Sequence, residues 1–183
     1  MKVYLLFLLL LLGGAVSAQE VPFRFSPLPL NTTTNKAVYT AVIPVTDTTK
    51  DQLFIRAKQW VARAAPHYKA SVSHVNPETG ALHLRGSIRK GQESFGFRLA
   101  VSVEDGSYTY QLDNITHTQP QNAREGKYSS PEPRTTPIEA LVYTRPRKSR
   151  DKKLLQVDTH LRAVLSSLDV AMQGKPTSLT TQL

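Results

Sequence analysis

The chain has 183 residues, no cysteine, and a formal net charge of +9 from 23 Lys and Arg against 14 Asp and Glu. Lack of cysteine excludes disulfides and a lipid-modified export cysteine, so the fold rests on its core, for which a hydrophobic content of 40% suffices. The length suits one domain with peripheral segments, and the positive balance points to anionic partners: nucleic acid, lipid headgroups or acidic polymers of a cell envelope.

Lys2 opens the chain, Val3 to Leu12 is an almost unbroken apolar run, and Val16-Ser17-Ala18 supplies small residues at a cleavage position. Residues 1–18 therefore read as a signal peptide, shorter than the roughly 20 apolar residues a spanning helix needs. The mature chain is expected to begin near Gln19, with no transmembrane segment after cleavage and no lipid anchor. Its expected location is the periplasm or the outside of the cell.

Residues 19–36 contain Pro22, Pro27 and Pro29 followed by Thr32 to Thr34, and read as a proline- and threonine-rich spacer. Val38 to Val45 is rich in β-branched residues and reads as a strand, with Pro44 at an edge or exit. Thr48, with Asp51 three residues on, approximates a capping box for a helix in which Leu53, Ala57, Trp60, Val61 and Ala64 form one apolar stripe. Trp60 is expected in the core, and Ala65-Pro66 is expected to end the helix. Lys69 to Asn76 is a poorer strand, joined by the turn Asn76 to Gly80 to the most regular part of the chain.

There Leu82, Leu84 and Ile88 alternate with His83, Arg85, Ser87 and Arg89. Phe95, Phe97, Leu99, Val101 and Val103 then alternate with Gly96, Arg98, Ala100, Ser102 and Glu104. Period two demands strands with one dry face. Asp105-Gly106 before Tyr108, Tyr110 and Leu112 signals a tight hairpin, so the run 82–112 reads as a three-stranded antiparallel meander. Residues 119–150 carry five prolines and read as a basic linker, with only Ile138 to Tyr143 able to form regular structure. Residues 151–173 form a second amphipathic helix through Leu154, Val157, Leu161, Val164, Leu165, Leu168 and Met172, expected to pack on the sheet. Residues 174–183 read as a flexible tail. The fold class expected is α+β: an antiparallel sheet of about five strands with two helices on one face.

Val42-Ile43-Pro44-Val45, then Thr49-Lys50-Asp51-Gln52-Leu53 and Trp60, then Gly80 and Gly86, then Val103-Glu104-Asp105-Gly106-Ser107-Tyr108 resemble an exported bacterial domain of unknown function with a TATA-binding-protein-like (TBP-like) fold. The family is typical of Bacteroidetes-type bacteria, and the resemblance covers roughly residues 37–118. It implies a curved antiparallel sheet with helices on one face and assigns no catalytic residue. Members are often lipoproteins, whereas this chain has no cysteine to lipidate, and its basic stretch before the last helix is longer than the fold needs.

The histidines at 67, 74, 83, 117 and 160 show no metalloprotease pair. With a four-residue turn at Pro77 to Gly80, His74 and His83 lie opposite each other, close enough to share a metal, although an ordinary solvated pair is the simpler reading. No nucleophile elbow or phosphate-binding glycine loop occurs, and Glu104, Asp105 and Asp113 sit at turns, facing water. The chain is therefore read as non-enzymatic, with no cofactor and no metal. The sharpest candidate is the basic run Arg145, Arg147, Lys148, Arg150, Lys152 and Lys153, opposed only by Asp151. It suits a foothold on an anionic envelope component or an acidic protein, and equally a solvated linker. The sheet's outer face, with Arg85, Arg89 and Arg98, is the alternative: a platform for a small ligand or peptide carrier. Chromosomal nucleic acid is not an expected partner of an exported protein.

Overall fold

The computed structural model describes residues 26–120 and 133–174. The expected signal peptide at 1–18, the middle of the linker and nearly all of the tail lie outside the described residues. The elements run β1 (Tyr39–Pro44), α1 (Lys50–Tyr68), β2 (Ser71–Asn76), β3 (Ala81–Lys90), β4 (Glu93–Glu104), β5 (Ser107–Gln119), β6 (Arg134–Pro137), α2 (Ile138–Val142) and α3 (Lys148–Met172). The strands form one antiparallel sheet in the order β1-β5-β4-β3-β2, with β6 also pairing β5. Helices α1 and α3 cover one face, as the alternation in β3 and β4 requires.

Alternation sets the register. Leu82 and Leu84 pair with Val101 and Leu99 and are buried, whereas His83, Arg85 and Arg98 point to the opposite face. The β4–β5 hairpin closes with Glu104 opposite Ser107 and Gly106 at φ +74, the left-handed backbone that Asp-Gly accommodates. Farther along, Arg98 faces Asp113 and Gly96 faces Thr116, so Asn114, at φ 49, is an inserted residue. That bulge returns Ile115 and His117 to the dry side, both buried. The two hairpin glycines permit close approaches. A Cβ on Gly80, whose φ is +70, would stand 2.5 Å from the Val103 carbonyl oxygen, and one on Gly86 would stand 2.6 Å from the Phe97 ring lying across it.

Polar bonds fix the helices in place. Tyr39 and Tyr108 donate to Asp158 and Asp169 of α3 at 2.8 and 2.9 Å, and burial followed by these bonds pushes both phenol pKa values up, so they remain donors. Trp60 is core, and its indole N–H reaches Ser167 at 3.0 Å, joining α1 to α3. The seven residues of the α3 stripe are all buried.

Several expectations are corrected. The capping box is Thr49 with Gln52, one residue later than Thr48 with Asp51, because Thr49 is the residue left in extended backbone at φ −75 and ψ 158. Helix α1 continues through Pro66 to Tyr68. The carbonyl that Pro66 leaves without a donor belongs to Ala62, which is exposed, and the extra turn sets Tyr68 edge-on to Phe97. Asp105 does not merely face water: it accepts the Lys50 backbone N–H at 2.7 Å, capping α1 from the hairpin. The spacer is partly core, since Leu28 is buried and Leu30 bridges to Ala37. The linker contains strand β6 and the last helix starts at Lys148 rather than 151, while α2 falls on the run Ile138 to Tyr143 that is expected to form regular structure. Among the described residues no helix is long and apolar enough to cross a membrane.

Candidate functional site

The basic run occupies the junction between α2 and α3. Pro137 sets the extended residue before α2, whose Ile138 and Val142 are fully buried. Glu139 accepts the Ala37 backbone N–H at 2.9 Å, tying this short helix to the start of β1. Pro146 holds Arg145 away from helical backbone, so the chain turns before α3 begins. The first turn of α3 has no side-chain cap, which leaves backbone donors and the positive end of a 25-residue helix at the junction.

Arg150 is the centre of this construction. Its side chain is only 4% exposed, and its guanidinium donates to the Val142 and Thr144 carbonyls at 3.1 and 2.8 Å and to Asp151 at 2.7 Å. It satisfies carbonyls that the end of α2 leaves without helical partners, and so joins the two helices. As a surface foothold Arg150 is therefore corrected: a buried guanidinium that binds backbone is a structural part of the junction.

Around it lies a cleft of about 420 Å³ lined by Leu141, Thr144, Arg145, Arg147, Ser149, Arg150 and Lys153. Four of the six predicted residues thus meet at one cavity. Lys148 and Lys152, both exposed, fall outside its lining. Arg145 and Arg147 are exposed. Lys153 forms the inner wall and donates to Glu93 at 2.7 Å. Glu93 also meets buried His117 at 3.0 Å, whose ring stacks on Phe95. Desolvation pulls the Glu93 carboxyl up, but the bonds from Lys153 and His117 outweigh it and hold its pKa below the usual carboxylate range. The cleft therefore presents four cations, with two carboxylates, Asp151 and Glu93, engaged by two of them. Such a lining suits an anionic group. Sequence reasoning found the run but not Glu93 or Asp151 as its internal partners. Glu93 is 60 residues away in sequence from Lys153, and no spacing rule reports such a contact.

The alternative platform is laid out as expected on the outer face, but it is more self-satisfied. Arg98 makes a two-pronged bond to Asp113 at 2.7 and 2.9 Å, and Gln111 donates to the same carboxylate at 2.7 Å. Arg98 first, and Gln111 with it, hold the Asp113 carboxyl below its ordinary range against the pull of burial. Arg85 stands directly opposite Arg98.

Residues 39–118 match the family model described as a domain of unknown function (DUF4468) with TBP-like fold. A TBP-like protein from Parabacteroides distasonis ATCC 8503 superimposes with a TM-score of 0.63 at 13% identity, over 81% of this chain and 99% of that one. A DUF4468 family protein from Bacteroides ovatus ATCC 8483 gives the same TM-score and identity over 82% of this chain and 92% of its own. At that identity the likeness establishes the fold. No curated protein matches the sequence.

Proposed function

We propose that this chain, whose residues 39–118 form a domain of unknown function with TBP-like fold, is an exported, non-enzymatic binding module of the bacterial envelope. Its site is the basic cleft between α2 and α3. Its partner is an anionic envelope component or the acidic surface of another protein. One observation carries the reading: Arg145, Arg147, Arg150 and Lys153 converge on a single cleft, while among the described residues only Arg150 and Lys153 are committed to carboxylates within it. Arg145 and Arg147 then supply the long-range attraction and the rim contacts, and Arg150 holds the cleft's shape.

Cosedimentation with vesicles of equal parts phosphatidylglycerol and phosphatidylcholine, and retention on immobilised polyglutamate, test this reading. Binding to at least one probe that weakens as salt rises, and is lost in Arg145→Ser with Arg147→Ser, supports it. Binding unaffected by that double variant, or none at low salt, removes the cleft from consideration.

A further inference from the structure

Strand β2 is an edge strand paired only with β3, and its ladder is irregular. Val72 faces Leu84 and Val75 faces Leu82, so both valines lie on the helix side of the sheet although they are three residues apart. That spacing is possible because the register shifts between Val72 and His74: Ser73 is inserted, and two residues of β2 share one position of β3. From the turn outward Asn76 faces Ala81 and Val75 faces Leu82, so the four-residue turn Pro77 to Gly80 sets His74 directly opposite His83 on the outer face, and the bulge follows immediately beyond the pair.

The rings that result are 5.3 Å apart between centroids and tilted by 47°. A zinc ion lies about 2.0–2.1 Å from each ligating nitrogen, and hence roughly 3 Å from each ring centre, so a tetrahedral angle puts two ligating imidazole centres about 5 Å apart. The observed spacing already meets that requirement. His74 is exposed and His83 half-buried, which gives an ion access from solvent. Among the described residues no hydrogen bond engages either imidazole, and Ser73 instead donates its hydroxyl to the His83 carbonyl, pinning the bulge at 3.3 Å. No group of three or more His, Asp and Glu side chains able to hold a metal stands among the described residues. The pair must then act as a bidentate ligand, with water or added oxygen ligands completing the coordination.

We propose that His74 and His83 form a two-imidazole site for a borderline divalent transition metal, Zn²⁺, Ni²⁺ or Cu²⁺, set by the β2–β3 turn on the outer face of the sheet. Neutral imidazole suits these ions and discriminates against Mg²⁺ and Ca²⁺, which take oxygen ligands. The site is separate from the basic cleft, so its loss leaves anion binding unchanged.

Chelator-treated protein is titrated with ZnCl₂ and NiCl₂ by calorimetry, beside His74→Ala, His83→Ala and the control His160→Ala. The expected result is one ion bound per chain, an affinity at least tenfold weaker in either site variant, and no change in the control. Both site residues lie on the outer face, and a thermal scan without metal shows whether the variants fold as the parent does. Addition of Zn²⁺ raises the Tm of the parent and of the control, and leaves both site variants unmoved. Zinc affinity equal in all four proteins, or no binding in the parent, overturns the proposal.

Discussion

The β3–β5 meander and the α2–α3 junction both close around buried side chains, but they are built on different rules. In the meander a period of two decides which side chain faces the core, and each strand's neighbour is its neighbour in sequence. In the junction a buried arginine holds carbonyls at the end of one helix from the first turn of the next, and a lysine reaches a glutamate 60 residues away in sequence. Periodicity organises the first region, and pairwise polar contact organises the second. Substitutions in the meander therefore act through volume, and those in the junction through unsatisfied polar groups.

The largest effects are expected where α3 closes the core over the sheet. Leu161→Ala removes a fully buried side chain and is expected to cost about 2–5 kcal/mol in chemical denaturation. Gly86→Ala acts by the opposite route, driving a Cβ against the Phe97 ring, with an expected cost of about 1–3 kcal/mol. A Gly86→Ala protein as stable as the parent would mean the meander tolerates volume, and the contrast with the junction would weaken.

Arg150→Ser comes next. It leaves the Val142 and Thr144 carbonyls without their donor, at an expected cost of about 1–3 kcal/mol. Glu93→Gln gives a smaller effect that depends on pH. The folded-state pKa of Glu93 is depressed, so its contribution is present above its unfolded pKa and is lost as pH falls through the folded value. Stability measured from about pH 5 down to about pH 3 is expected to fall less steeply in Glu93→Gln than in the parent. The smallest effect belongs to the Arg98–Asp113 pair, whose arginine side chain is 51% exposed. Arg98→Ala is expected to cost no more than about 1 kcal/mol, and less in high salt.

The same contrast explains what the sequence discloses. Alternation from Leu82 to Val103 and the Asp105-Gly106 turn were enough to read three strands, their faces and their pairing. The apolar stripe from Leu154 to Met172 was enough to read a helix packed on them. The bulges at Ser73 and Asn114 carry no such signal, since an inserted residue is defined by the partner strand. Strand β6 is four residues long, and Arg134 to Pro137 form a ladder with β5 only because Thr116 to Gln119 are there to pair. The six basic residues could be found as a run, but not sorted. Arg150 is indistinguishable in sequence from Arg145 and Arg147, and only the position of α2 buries one and exposes the others.

That sorting is the centre of the account, and two variants measured side by side test it most directly: Arg150→Ser, and Arg145→Ser with Arg147→Ser. Each is assayed for thermal midpoint and for binding to phosphatidylglycerol vesicles and immobilised polyglutamate. The account predicts that Arg150→Ser lowers the midpoint, whereas the double variant keeps the parent's midpoint and loses binding. Equal loss of binding with no change in midpoint for either protein would contradict it, because the six residues would then be one undivided charged surface.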